Sequence, residues 1–292
     1  MMGGFLVFIL LATENCLPGM KIDITAKSDY TMEDLMEQSR LVEEQRQEEE
    51  RRQLEAISSR LMKHLPVFAH RGSSGQALEN SFEAWDLAAE QGCPQIELDV
   101  WTSTDGTLWV MHDEELERTT DTSGKITQMN DSELQNVKLK NGENIHTFQD
   151  VLNRYGNSMK YLVELKSGPD QIEAFLSSMD ANPELQNVVF LQTWDLPTLQ
   201  ILHERKPQMF AQLLMGNRDL LDAALSAGYI DSIAIDYNEV DQDLINRTHE
   251  TDKQIWVWTV NDESDMTRLV QEGVDAIITN YPNEALNAFS EQ

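Results

Sequence analysis

Two histidines in this sequence stand where strand-like apolar runs end, a place from which an imidazole can exchange protons with a ligand. His70 ends the run that starts at Val67 and is followed by Arg71 and Gly72, and His112 ends the run at 107–112. Because histidine titrates near neutral pH, a pair of them suits a general acid and a general base. The remaining histidines fall on predicted helices or loops, and we interpret them as structural or solvated: His64, His146, His203 and His249.

Three carboxylates come from two further strand-like runs. Glu97 and Asp99 are two residues apart, so both point to the same side of a strand, and Glu164 belongs to the run at 159–166. Three oxygen donors without a well-placed thiolate favour a hard cation, Mg²⁺ or Ca²⁺, over zinc. The alternative is that one carboxylate pairs with Lys166 or Arg71 and that no metal binds, which would leave excess negative charge.

Two cations accompany these groups. Arg71 offers a planar fork for phosphate oxygens, and Lys166 offers a compact charge beside Glu164. One metal ion, two proton carriers and two cations together suggest a site that hydrolyses a phosphate ester.

The elements that must position these residues alternate between strand-like and helix-like runs from residue 65 onward. Eight strand–helix units predict a closed (β/α)₈ TIM barrel, whose sites lie at the carboxyl ends of the strands; an open doubly wound sheet is the alternative. No Gly-x-Gly-x-x-Gly follows the first strand, which argues against a dinucleotide site. The predicted strands are 66–71, 95–101 with 107–112 returning beside it, 159–166, 187–192, 209–214, 231–236, 254–260 and 275–279. The predicted helices are 79–91, 147–155, 169–180, 195–206, 217–227, 240–251, 263–272 and 281–288.

One polar segment has no place in this alternation. Residues 114–146 follow the second barrel strand and its returning partner, and we interpret them as a small insertion on the functional rim. Its polar composition favours a small soluble head group as the substrate's second half.

The charge of the chain restricts its partners. A formal net charge of −29 argues against nucleic acid, and it would also repel an anionic substrate unless a bound divalent cation reversed the local field. Two cysteines, Cys16 and Cys93, exclude a disulfide scaffold. The sequence predicts nothing about the oligomeric state.

The amino-terminal region is predicted in two parts. Residues 5–12 are the length of a signal-peptide core and favour a signal or anchor at 1–19, with export or membrane attachment; a start at Met20 would delete this segment and leave a cytoplasmic chain. Residues 20–64 form an acidic helical leader, which we interpret as a solvated spacer, with a partner-binding coiled coil as the alternative. The catalytic barrel spans 65–292.

Several short motifs, in this order and spacing, resemble the glycerophosphodiester phosphodiesterase family. The resemblance extends from about His70 to Pro282, most of the predicted barrel. The motifs are His70–Gly72, Glu79–Ser81, Ile96–Val100, Thr104–Gly106, His112–Asp113 with Leu116–Thr120, Val163–Lys166, Trp256–Asn261 and Gly273–Asn280.

The resemblance implies hydrolysis of a glycerophosphodiester, such as glycerophosphocholine or glycerophosphoethanolamine, to glycerol 3-phosphate and an alcohol. It implies that His70 and His112 are catalytic, by general acid–base chemistry. It places the remaining candidates in three groups: metal ligands Glu97, Asp99 and Glu164; phosphate neighbours Arg71 and Lys166; and pocket residues Trp258 and Glu79. Ordinary barrel packing is the alternative for Trp258, and Glu79 would shape the first loop or join the metal shell.

The chain departs from the family pattern in two loops. Leu78 stands where the family usually has proline, and Ile145–Phe148 replaces the usual Ile-Pro-Thr-Leu, which leaves substrate preference open. Water and the substrate's own 2-hydroxyl both remain candidates for the attacking oxygen. Two rival functions are a phospholipase D-like lyase acting on lysophospholipid or sphingolipid, and a non-catalytic barrel that binds a ligand or a partner.

Overall fold

The computed structural model describes residues 40–42, 46 and 67–290. Arg40–Val42 and Arg46 are helical, in the region of the predicted leader. The predicted signal or anchor and most of the leader lie outside the described residues, so those assignments and the domain boundaries stay predictions. In the described ranges, no helix combines the length and the apolar character needed to cross a bilayer.

Eight parallel strands form a closed barrel, as the sequence predicts, and the open sheet is excluded. Closure is made by the first strand, which pairs with the second through His70 opposite Glu97 and with the last through Val67 opposite Ile277. One further strand, Leu108–Val110, runs antiparallel to the second strand beside the barrel. The strands are β1 Val67–His70, β2 Gln95–Thr102, β3 Leu108–Val110, β4 Lys160–Leu165, β5 Val189–Thr193, β6 Ala211–Met215, β7 Ser232–Asp236, β8 Gln254–Trp258 and β9 Ala276–Thr279.

Helices follow the strands and cover the outside of the barrel. Side-chain caps begin several of them: Ser81 accepts from the Ala84 amide, and Thr147 and Asp150 form a capping box. The helices are α1 Phe82–Glu90, α2 Asp131–Leu134, α3 Phe148–Tyr155, α4 Ile172–Ala181, α5 Leu196–Arg205, α6 Leu221–Ser226, α7 Gln242–His249, α8 Glu263–Glu272 and α9 Pro282–Ser290.

The barrel interior is apolar at mid-height and polar towards both ends. Phe68, Phe190 and Trp256 fill the middle, with Phe68 stacked on Trp256 at a centroid distance of 4.7 Å. Alternate residues of each strand point inward, so the same faces carry Glu97 and Asp99 towards the carboxyl end. A larger apolar core lies between the strands and the surrounding helices.

The segment between β3 and α3 is folded around a small core of its own. It holds α2 and a cluster of buried apolar side chains, so its polar composition describes only its surface. The sequence reading missed this core because its apolar residues are spaced irregularly, with neither a helical nor a strand period. The cluster contains Trp109, Met111, Leu116, Ile126, Leu134, Val137, Leu139 and Ile145.

Candidate active site

The three predicted acidic ligands converge at the carboxyl end of the barrel. Glu97 and Asp99 extend inward from β2, and Glu164 lies opposite Asp99 in the pairing of β2 with β4. Each carboxylate offers an oxygen, and these three oxygens lie within 4.8 Å of one another. All three residues are buried. In the described part of the chain, this is the one group of three such side chains close enough to share an ion.

Burial and mutual repulsion disfavour the charged forms of two of the three acids. Burial raises the pKa of Glu97 well above its usual value, and the neighbouring charge of Asp99 adds to this. Burial and Asp99 also raise the pKa of Glu164. For Asp99 burial acts in the same direction, but the charges of Lys166 and Arg71 outweigh it and lower the pKa. A divalent cation would relieve this repulsion, so the donor set fits Mg²⁺ or Ca²⁺.

The two predicted phosphate cations contact these acids directly. The Lys166 ammonium lies 2.8 Å from Glu164 and 3.4 Å from Asp99. The Arg71 guanidinium lies 3.3 Å from Asp99 through Nε and 3.0 Å from Glu79 through Nη1. Two cations, Lys166 and Arg71, therefore accompany the three buried carboxylates of the triad, while Glu79 has a second cation in Arg118.

A tight turn presents Arg71 to the acids. The residue has a left-handed backbone, with φ of 56°, and its amide donates to Glu97 at 3.0 Å. Gly72 follows with φ of 84°, where a Cβ would lie 2.7 Å from Ala84. Only glycine fits this position without moving α1, which explains the glycine after the His-Arg pair.

Three further side chains hold the carboxylates in place. The Asn80 amide donates to Asp99 at 3.0 Å, and the Gln192 amide donates to Glu97 at 3.3 Å. The Trp194 indole N–H donates to Glu164 at 3.0 Å. The sequence analysis predicts no such role for any of them. Gln192 and Trp194 stand at the end of β5, and a polar group at a strand end is the feature that could have identified them.

His70 is held by an uncharged partner. Its Nδ1 lies 2.7 Å from the Asn280 amide oxygen, which also accepts from the Ser74 hydroxyl. Because an amide oxygen only accepts, Nδ1 carries the proton and Nε2 keeps a lone pair. Burial, together with the charge of Arg71, lowers the pKa of His70 to about 4. This imidazole is therefore neutral at physiological pH.

His112 is held by a carboxylate instead. Its Nδ1 lies 2.6 Å from Asp113, which immediately follows it. The preceding residue, Met111, donates its amide to the Asp99 carbonyl at 3.0 Å, which ties this end of β3 to the acidic strand. Burial lowers the pKa of His112, and Arg71 adds to this, while Asp99 and Asp113 act in the opposite direction. Both imidazoles thus lie within electrostatic reach of Asp99.

The last two predicted residues lie at the edge of this group. Glu79 is held between Arg71 and Arg118, at 3.0 Å and 2.6 Å. Trp258 ends β8 and meets Trp194 edge to face, with ring centroids 5.8 Å apart. Trp194 is 44% exposed, so this aromatic pair forms an accessible wall beside Glu164.

The histidines interpreted as structural or solvated are found away from the acids where they are described. His146 stacks on Phe82, with ring centroids 3.8 Å apart, and pairs with Glu143 at 3.0 Å. His249 pairs with Asp275 at 2.9 Å on the outer surface, and His203 is exposed on α5. His64 lies outside the described residues.

Comparison with known proteins gives consistent matches over the barrel. The model of the glycerophosphoryl diester phosphodiesterase family matches residues 70–284. The Bacillus subtilis (strain 168) protein YhdW is 31% identical over 235 residues, covering 74% of this chain and 95% of YhdW. A glycerophosphodiester phosphodiesterase of the same strain is 28% identical, covering 74% and 83%. A solved phosphodiesterase of Oleispira antarctica, in complex with the product sn-glycerol-3-phosphate, has a TM-score of 0.69 at 26% identity, covering 77% and 96%.

Proposed function

The chain belongs to the glycerophosphoryl diester phosphodiesterase family and is a phosphoric diester hydrolase, and on this premise we propose how and on what it acts. It hydrolyses a glycerophosphodiester with a small head group, such as glycerophosphocholine or glycerophosphoethanolamine, to glycerol 3-phosphate and an alcohol. One observation carries the proposal: a buried triad of acids lies within electrostatic reach of two histidines whose Nδ1 atoms are both occupied.

Glu97, Asp99 and Glu164 would hold one divalent cation, Mg²⁺ or Ca²⁺. When bound, it supplies positive charge to a phosphate oxygen and so favours attack at phosphorus. Arg71 and Lys166 already lie against the same acids and add positive charge where the phosphate would bind. Together with a bound cation, they would make an anionic substrate compatible with a strongly acidic protein.

The two histidines divide the proton transfers according to their partners. His70 has a neutral amide partner and a pKa of about 4, so its free Nε2 is the general base that takes the proton from the attacking oxygen. His112 is the general acid: its Asp113 partner opposes the lowering of the pKa of His112 by burial and so stabilises the protonated ring. A new P–O bond forms to the attacker, the bond to the head-group alcohol breaks, and His112 protonates the departing oxygen.

The aromatic wall of Trp194 and Trp258 would border the bound diester. The lyase acting on lysophospholipid or sphingolipid has no specific support from the described residues.

The experiment is release of glycerol 3-phosphate from a panel of diesters by the full chain. We expect turnover of glycerophosphocholine or glycerophosphoethanolamine, loss of turnover in EDTA, and recovery with Mg²⁺ or Ca²⁺. ³¹P NMR of the same reactions distinguishes the two attackers, since attack by the 2-hydroxyl gives a cyclic phosphate and attack by water gives none. Release of choline from lysophosphatidylcholine alone, or undiminished turnover in EDTA, would contradict the proposal.

A further inference from the structure

One arginine of the insertion, Arg118, contacts residues beside the active site. Arg118 donates through Nη1 and Nη2 to the two oxygens of Glu79, at 2.6 Å and 2.7 Å. Through Nε it also pairs with Oδ2 of Asp113. One guanidinium therefore joins a carboxylate of the first barrel loop to a carboxylate that follows β3, using its full fork of donors.

Both of these carboxylates also contact residues of the active site. The second oxygen of Asp113 holds Nδ1 of His112 at 2.6 Å. Oε1 of Glu79 also accepts from Arg71 at 3.0 Å. Arg118 thus stands at the centre of a chain of contacts that connects His112 on one side with Arg71 on the other.

The backbone of Arg118 is fixed although its side chain is almost half exposed. Its neighbour Leu116 is fully buried in the core of the insertion, and Thr120 donates its hydroxyl to the Leu116 carbonyl at 2.8 Å. Lys140 donates to the Arg118 carbonyl at 2.8 Å. The backbone that carries the guanidinium is therefore held in place by the core of the insertion. The folded insertion thus positions Arg118 as well as covering the rim of the barrel.

The charge of Arg118 acts on both partners. Its hydrogen bond to Glu79, with help from Arg71, lowers the pKa of that carboxyl against the effect of burial. Its hydrogen bond to Asp113 does the same there. Both groups stay ionised, so Asp113 can only accept from Nδ1 of His112, which keeps Nε2 of that ring available to the substrate.

We propose that Arg118 is a positioning residue that orients His112 through Asp113 and ties it to the Arg71 side of the site through Glu79. This rests on the proposed function, because it requires His112 to be catalytic. Arginine is needed because a lysine ammonium has no planar fork and cannot bond both oxygens of Glu79 while reaching Asp113.

The test measures kcat and KM for glycerophosphocholine in the full chain with Arg118→Met, Arg118→Lys, Asp113→Asn and the double variant Arg118→Met/Asp113→Asn. We expect kcat to fall about 10–100-fold in Arg118→Met, as for other outer partners of functional groups, with a smaller change in KM. Arg118→Lys should recover only part of this. The double variant should lose little more than Asp113→Asn alone, because both changes release the same ring.

A lysine of the same insertion provides the matched control. Lys125 also bridges two carboxylates, Glu114 at 2.6 Å and Glu115 at 3.1 Å, but neither contacts any of the described histidines. Lys125→Met should leave kcat unchanged. A ¹⁵N NMR spectrum of the His112 ring, recorded at a pH where the ring is neutral, adds a readout independent of turnover: we expect one tautomer, with the proton on Nδ1, in the parent and in Lys125→Met, and a mixture in Arg118→Met.

The outcomes separate the two proposals. If His112→Ala retains normal turnover, the proposed function is wrong. If His112→Ala is inactive while Arg118→Met keeps its kcat and a single His112 tautomer, only the positioning role is wrong. Additive losses in the double variant would contradict the orientation of His112 through Asp113, since they would mean that Arg118 acts independently of Asp113. Thermal melting of each variant identifies a loss of kcat that comes from unfolding. If Arg118→Met unfolds, the folded Arg118→Lys variant tests the positioning role instead: a kcat equal to that of the parent would contradict it.

Discussion

The two ends of the barrel interior both contain buried charge, and they treat it in opposite ways. At the carboxyl end, Glu97, Asp99 and Glu164 converge and each accepts a hydrogen bond from a neighbouring side chain. At the amino end, Lys160 begins β4 and is buried, yet its ammonium finds no hydrogen-bond partner among the described residues. The centroid of the Phe190 ring lies 5.9 Å from its Nζ.

This difference shows what distinguishes a site from an incidental buried charge. Burial alone lowers the pKa of Lys160 to about 8, with no charged group opposing or adding to the effect. At the other end, pKa values are raised or lowered according to which charges surround each group. Convergence of mutually interacting groups from several strands is the feature that points to chemistry, whereas a solitary buried group indicates only a cost to stability.

The largest difference that we expect between the two ends is in turnover, and it is measured with one substitution at each end. Asp99→Asn keeps the shape of the side chain but removes its charge from the centre of the triad. Turnover should fall by more than the roughly 10–100-fold that is typical for residues that only orient a metal ligand, because Asp99 is proposed to bind the metal directly. Lys160→Met should leave turnover of glycerophosphocholine unchanged. Equal losses in both variants would remove the functional distinction between the two ends.

A smaller effect concerns the stability of the carboxyl end. Since the pKa values of Glu97 and Glu164 are raised, the folded metal-free protein binds more protons than the unfolded chain above about pH 4.5, and their contribution to stability falls as pH rises. A metal ion competes with those protons. The increase in Tm on adding Ca²⁺ or Mg²⁺ should therefore be larger near pH 8 than near pH 5.5.

Saturating metal at about 100 times its Kd corresponds to about 2.7 kcal/mol of added stability. Glu164→Gln is the control, because it removes one charged donor and should reduce the increase in Tm at both pH values. An increase that is the same at both pH values, or that survives in Glu164→Gln, would mean that the ion binds elsewhere.

The smallest effect concerns the amino end. Lys160→Met should raise the free energy of unfolding at pH 7 by about 1–3 kcal/mol, because it removes a buried charge for which the described residues supply no partner. The folded pKa of about 8 lies below the usual 10.5, so the parent gains stability as pH rises between these values. The advantage of Lys160→Met should therefore shrink by about pH 10, as urea denaturation at both pH values would show. Lys125→Met, at an exposed position, should show no such trend. If Lys160→Met is less stable than the parent, the prediction is wrong and the Lys160 ammonium makes a stabilising interaction.

The sequence predicted the barrel and the strand-end residues because both depend on local periodicity. Alternation along β2 was sufficient to place Glu97 and Asp99 on one face, and the predicted strand 95–101 is observed as Gln95–Thr102. The helix predicted at 217–227 is shorter, Leu221–Ser226, because the Asn217 side chain accepts from the Asp219 amide and holds a turn before it. Boundaries of this kind depend on side-chain bonds that periodicity does not show.

The contacts that complete the site were beyond sequence reasoning. Asn280 reaches His70 across 210 positions, and Trp194 reaches Glu164 across 30. Arg118 meets Glu79 only because the insertion folds on its own core and returns to the barrel. A single sequence records none of these distances, so the partners that set each tautomer and charge appear only in the folded chain.

The most direct test of the central claim is the turnover of His70→Ala and His112→Ala beside His249→Ala. His249 is a matched control, because it also pairs with a carboxylate, Asp275 at 2.9 Å, but lies outside the barrel. We expect each of the first two variants to lose about 10²–10⁴-fold in kcat with an unchanged fold, and His249→Ala to keep the parental rate. Near-parental release of glycerol 3-phosphate by His70→Ala or His112→Ala would contradict catalysis by two imidazoles around the acidic triad.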